Sequence, residues 1–155
     1  MRISAKVDYA VRAALELSRR SPDRNSPPTK GDQLGEAQAI PTKFLESIMS
    51  ELRRAGIVGS RRGAEGGYWM ARPAAEVTVA DIIRAVEGPL ADVRGQAPED
   101  LDYEGVAAPL EQVWLATRVA VRRVLEQATL ARIAGDGLPP ELMALLQDPD
   151  ARARR

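Results

Sequence analysis

The chain has 155 residues, 45% hydrophobic and 28% charged, and contains neither His nor Cys. That length favours one compact domain with an attached helical arm, and the two missing residue types exclude a self-contained Ser-His-Asp triad, a thiolate nucleophile, a zinc hydrolase and a cysteine-held iron–sulfur cluster. The formal net charge of zero is a cancellation, since residues 1–88 sum to +3 and residues 89–155 to −3; where the positive charge sits matters more than its total.

Aromatic residues make up only 4% of the chain, so the core must be built from Leu, Val, Ile and Ala, which suits helices. No apolar run approaches the ~20 residues of a membrane span, and a soluble, cytoplasmic protein with no membrane partner is expected. Val7, Ala10, Val11, Ala14, Leu15 and Leu17 recur at spacings of three and four, predicting a first helix from about Lys6 to Arg20. The Pro- and Ser-rich stretch 21–28 is a loop. A short second helix over Gly31–Gln38 is weakened by Gly31 and Gly35.

Pro41 suits the first turn of a third helix, because its missing N–H would be unpaired there anyway. That helix is expected to reach Ala55 and to bury Phe44, Leu45, Ile48, Leu52 and Ala55, with Gly56 as a left-handed cap. Thr42, Lys43, Glu46, Ser47 and Ser50 then share the opposite face. Two β-prone runs, 57–60 and 68–71, flank the basic, glycine-rich 61–67 and predict a hairpin with a protruding tip. Thr78 and Asp81 form a capping pattern for a fourth helix ending at Gly88-Pro89.

Residues 90–108 are acidic and rich in helix breakers. From about Pro109 to Ala134 a long helix is predicted, with Leu110, Val113, Trp114, Thr117, Val121, Val124, Leu125 and Ala128 as its apolar stripe. Such a helix would be roughly 39 Å long at 1.5 Å per residue, longer than a small domain is wide, so part of its stripe must be buried against something outside the domain. A further short helix is expected at 139–147. The resulting divisions are a winged helix-turn-helix domain at 1–88, an acidic connecting loop at 89–108, a dimerisation helix at 109–134 and a C-terminal extension at 135–155. The fold class is thus mainly α with a small β-hairpin.

This element order gives each part a task. A helix fits the major groove and can present Thr, Ser, Lys and Glu to base edges. Arg61 and Arg62 at a glycine hairpin tip suit the minor groove, where the potential is most negative. The blocks 7–13, 41–48 and, above all, Leu52 to Tyr68, followed by Asp81 to Pro89 and Trp114 to Leu130, resemble the bacterial Rrf2-type transcriptional regulators over about residues 1–134.

The resemblance implies a homodimer on a partly palindromic double-stranded DNA operator, and a repressor is the expected regulator. The same resemblance puts Thr42, Lys43 and Glu46 on the base-reading helix, Arg62 and Gly63 at the wing, and Arg2 and Tyr9 near phosphates; Ser47, on the same helix face, and Arg61, at the same tip, are expected to join them. Leu110, Val113, Trp114, Val121, Val124 and Leu125 would lie in the dimer helix. Many members of that family hold an iron–sulfur cluster with three cysteines in the region matching 90–108; none stands here, so no metal or cluster cofactor is expected. The chain is closer to cysteine-free members, some of which are linked to cysteine and sulfur metabolism or to protein partners.

A pocket formed by Tyr68, Trp69 and Met70 with the loop 90–108 would suit a small-molecule effector of unknown identity. The acidic run lacks the spacing of a calcium loop, and no catalytic residues are assigned. The alternative to a DNA-binding regulator is a winged-helix protein-interaction module without DNA binding, which the near-neutral charge would suit. A carboxylate-based hydrolase rests on clustered Asp and Glu alone.

Overall fold

The computed structural model describes residues 2–153, with the side chain of Asp136 left aside. Helix α1 spans Ala5–Arg20; its N-cap Ser4 accepts a hydrogen bond from the Val7 amide through Oγ at 3.1 Å, satisfying one of the free N–H groups of the first turn. Ala10, Ala13 and Ala14 are fully buried beside Val7 and Leu17. These small side chains let α2 (Gly31–Gln38), α3 (Thr42–Arg54) and α4 (Val79–Val86) all pack against α1.

The chain turns between α2 and α3 at Ala39, which adopts φ 52° and ψ 46°. The Ile40 amide donates to the Gly35 carbonyl at 2.9 Å. A Cβ on Gly35 would lie 3.1 Å from the Ile40 carbonyl oxygen, so the small residue permits the tight corner. Leu45, Ile48, Met49 and Leu52 form the buried face of α3, and each such side chain contributes about 1.5–3 kcal/mol by leaving water. Phe44 and Ala55, expected on that face, are instead exposed, Phe44 at 41%. Met49 takes the inward position. Gly56 closes the helix at φ +70°.

Strands β1 (Val58–Arg61) and β2 (Gly67–Met70) pair antiparallel, with Ser60 opposite Tyr68 and Arg61 opposite Gly67. Thr29 adds a third rung: its amide donates to the Tyr68 carbonyl at 2.9 Å and its carbonyl accepts from the Tyr68 amide at 2.8 Å. Buried Ser21 holds the same seam, its carbonyl accepting from the Met70 amide at 2.9 Å and its hydroxyl 2.7 Å from that of Thr29. The proline-rich loop therefore straps the end of α1 to the hairpin. Glu16, also buried, ties α1 to α2; it accepts hydrogen bonds from Arg19, Arg20 and Gln38. Chiefly the Arg20 hydrogen bond, with help from Arg19 and Gln38 and against the opposing effect of burial, lowers its carboxyl pKa to about 2.

Helix α4 carries the expected capping box: the Thr78 hydroxyl accepts from the Asp81 amide, and the Asp81 carboxylate accepts from the Thr78 amide, both at 3.1 Å. Helix α5 spans Leu110–Leu125 and has no fully buried residue. On one side the Trp114 indole donates to the Tyr103 hydroxyl at 3.1 Å and Arg118 pairs with Glu99 at 2.6 Å, while Val121 and Leu125 rest on the core. Away from these contacts Val113 and Val124, on one flank, and Val119, on another, are exposed at 52%, 36% and 48%.

One unbroken helix to Ala134 was expected, and the structure corrects this. After α5 the chain leaves the helix so that the Ala128 carbonyl accepts from the Val79 amide and the Leu130 amide donates to the Val77 carbonyl, both at 2.9 Å. Nothing in Glu126-Gln127-Ala128 disfavours a helix; the break is made by this tertiary pairing, with Thr129 opposite Thr78. At 16 residues α5 is roughly 24 Å long. Helix α6, Pro140–Leu145, buries Leu142 and exposes Met143 and Leu145. Among the described residues no helix is long and apolar enough to cross a membrane.

Candidate nucleic-acid interface

The corner at Ala39 and Pro41 sets α3 so that Thr42, Lys43, Glu46 and Ser47 all face solvent. Their spacing places them on the first two turns, with Glu46 and Ser50 turned toward the hairpin, where a groove of about 520 Å³ separates α3 from the wing. Lys30, Arg53, Ser60, Arg61, Arg62 and Gly63 also line it. Arg53 spans the groove floor, its Nη1 donating to the Ser60 hydroxyl at 3.3 Å. Four basic side chains thus converge on one concave face against the single carboxylate of Glu46.

The two wing arginines are not equivalent. Arg61 folds back, its Nη2 donating to the Glu65 carbonyl at 2.9 Å, and so braces the tip. Arg62 is exposed and makes no hydrogen bond or ion pair with any described residue. The glycines divide similarly. A Cβ on Gly66 would sit 2.2 Å from the Arg61 carbonyl oxygen, and one on Gly67 would sit 2.6 Å from that of Thr29; both serve the wing's own packing. Gly63, at φ +104°, has nothing within 4 Å of its Cβ position, which leaves the tip backbone open to a close neighbour.

Tyr9 and Arg2, grouped by resemblance as phosphate contacts, occupy different places. The Tyr9 ring lies 5.8 Å from that of Phe44, with the Arg12 guanidinium 5.5 Å above it, so it flanks the start of α3. Arg2 borders a second cavity of about 560 Å³ between the start of α1, α4 and α5, lined also by Glu87, Leu90, Val93 and Trp114. The expected pocket of Tyr68, Trp69 and Met70 with the acidic loop is not formed. Tyr68 lines the α3–wing groove, Trp69 and Met70 line a hollow with Pro22 and Arg72, and the loop lines the Arg2 cavity. Trp69 packs its indole over Gly59, where a Cβ would lie 2.4 Å from Nε1.

Sequence reasoning missed Lys30, Ser60 and the site role of Arg53. Arg53 stands seven residues after Glu46, two helical turns along the same face, and that spacing was the available signal. Lys30 is carried to the groove beside the Thr29–Tyr68 pairing, which has no local signature, and Ser60 lines it from β1, opposite Tyr68 in the hairpin.

A polar-faced helix, a tight corner before it and a braced basic hairpin define a winged helix-turn-helix protein. Residues 3–136 match the family model described as Rrf2, iron-dependent transcriptional regulator. The chain is 45% identical over 148 residues to the HTH-type transcriptional regulator Rv1287 of Mycobacterium tuberculosis, covering 96% of this chain and 90% of that protein. It is 34% identical over 134 residues to the HTH-type transcriptional regulator CymR of Bacillus subtilis, covering 86% and 90%. Among solved structures, CymR, the global cysteine regulator of B. subtilis, superposes with a TM-score of 0.70 at 32% identity over 88% of this chain and 98% of that one. IscR of T. potens superposes at 0.67 and 27% identity, covering 100% and 93%. The chain belongs to the Rrf2 family of transcriptional regulators, and it is no enzyme.

The family's description names iron, and the donor set here does not fit an iron–sulfur cluster. Such clusters are held mainly by thiolates, with imidazole as the usual substitute, and the chain has neither Cys nor His. Nor do carboxylates take their place: among the described residues no three acidic side chains gather to hold a metal ion. Glu99 in the acidic run is instead engaged by Arg118, which lowers its carboxyl pKa.

Proposed function

We propose that this protein is a homodimeric, sequence-specific repressor that binds a partly palindromic operator without an iron–sulfur cluster. The convergence of the polar α3 face and the unpaired Arg62 across one basic groove carries this reading. Residues 1–88 act as the DNA-binding unit. Thr42, Lys43, Glu46 and Ser47 enter the major groove, while Arg62 and the open backbone at Gly63 reach into the flanking minor groove, with Arg61 holding the tip in shape. Tyr9, beside the start of α3, meets the phosphate backbone.

Dimerisation through α5 is supported by the exposed Val113 and Val124, which the helical repeat places on one face of a helix that has no fully buried residue in its own chain. Leu110, Trp114, Val121 and Leu125 contribute less to that contact, since they are half-buried within the chain. Two reading helices would then meet half-sites centred ~34–36 Å apart. The likeness to a cysteine regulator supports a place in the control of sulfur metabolism, and a DNA-binding regulator of that kind would act in the cytoplasm.

The test is selection of duplexes from a random pool, followed by binding measurements across salt concentration and sedimentation of the complex. Enrichment of an inverted repeat bound by two chains, with affinity falling steeply as salt rises, is expected. Absence of any preferred duplex would support the protein-interaction module instead.

A further inference from the structure

Phe44 is the chain's single phenylalanine, and it is 41% exposed in the first turn of α3. A large apolar side chain in water at that position, between Lys43 and the polar Glu46 and Ser47, is not explained by the core, which Leu45 and Ile48 fill. Nor is the ring loose. It leans on Tyr9 of α1 at 5.8 Å between centroids with planes tilted by 52°, and the Lys43 ammonium sits 5.1 Å from its centre. Tyr9 is held in turn by Arg12, which pairs with Asp8 at 2.9 Å.

The result is a braced pair of rings at the start of α3, with the Lys43 ammonium over Phe44 and the Arg12 guanidinium over Tyr9. Lys43, which pairs with no carboxylate among the described residues, suits a phosphate. The exposed Phe44 ring beside it suits the one apolar feature on the major-groove edge of DNA, the thymine C5-methyl group. Hydrogen-bonding groups on the same helix cannot report that methyl, because it neither donates nor accepts.

We infer that Phe44 reads a thymine methyl group in each half-site and so adds a specificity determinant to the polar residues of α3. This inference rests on the DNA-binding reading above. Replacing every half-site thymine, one position at a time, by deoxyuridine removes the methyl and keeps the base pairing. With the duplex selected by the protein itself, one position is expected to lower wild-type affinity about fourfold per half-site, the value of burying one methyl-sized group.

Phe44→Ala is expected to bind the thymine and deoxyuridine duplexes equally, and Phe44→Leu to keep part of the difference. Because the ring lies outside the core, both variants should stay folded, with the loss of the Tyr9 contact lowering the melting temperature by only a few degrees, which a thermal melt checks. If the wild type binds its selected duplex and no deoxyuridine position matters, or if Phe44→Ala keeps the full methyl dependence, the inference is overturned while the DNA-binding reading stands. If no duplex is bound at all, both fall.

Discussion

The division of labour between Arg61 and Arg62 gives the sharpest expectation. Arg62→Ala removes a guanidinium with no intramolecular partner among the described residues, so folding stability should change by less than about 0.5 kcal/mol. On DNA, each neutralised phosphate charge contributes a factor near the salt concentration raised to −0.9. That is about fivefold per wing at 0.15 M salt, and about 30-fold for a dimer with two wings. At 0.05 M the same expression gives roughly 200-fold. The assay is fluorescence anisotropy on the selected duplex from 0.05 to 0.3 M salt. The Arg62→Ala line should be shallower than wild type by about 1.8 in log–log slope. Arg61→Ala instead loses the brace to Glu65 and should cost up to about 1 kcal/mol of stability. Equal slopes for wild type and Arg62→Ala would refute the assignment of Arg62 to DNA.

Three further outcomes follow from the geometry. Glu16 has a folded pKa depressed to about 2 from an ordinary 4.5, so its stabilisation is complete above pH 4.5 and is lost as pH falls toward 2. Urea unfolding should show about 3 kcal/mol less stability across that window, and Glu16→Gln should flatten this acid limb; an unchanged limb would show that the buried carboxylate is not its source. Gly67→Ala drives a Cβ to 2.6 Å from the Thr29 carbonyl oxygen at a φ of +151°, and should cost about 2–4 kcal/mol while reducing DNA affinity, with the amides of Thr29 and Tyr68 losing hydrogen-exchange protection. Val113→Asp combined with Val124→Asp places charges on the exposed stripe of α5 and should give monomers by sedimentation with intact helical circular dichroism. A dimer that survives both changes would place the interface elsewhere.

Much of the reading unit was legible in the sequence because its signals are local. Gly56 needs a left-handed cap, Thr78 and Asp81 form a reciprocal box, and the glycine-rich tip sits between two short β-prone runs. What escaped was decided at a distance. Helix α5 stops at Leu125 although the next residues favour a helix, because the backbone at 128–130 pairs with that at 77–79. Phe44 looks like a core residue by periodicity, yet Met49 fills the inward position and Tyr9 offers the ring an exterior rest. In the site, the polar face of α3 was readable from spacing, whereas the different duties of Arg61 and Arg62 depend on a hairpin geometry that composition does not encode.

The return of the chain at 128–130 has a mechanical meaning. The segment that follows α5 is hydrogen-bonded to the start of α4, and the Val86 carbonyl at the other end of α4 accepts from the Lys6 ammonium, which also pairs with Glu51 of α3 at 2.8 Å. These short, directional links run from the end of α5 through α4 to α3. In a dimer built on α5, such gearing makes the distance between the two reading helices a fixed calliper: inserting one base pair between half-sites should abolish tight binding, where a loosely hinged arm would absorb it.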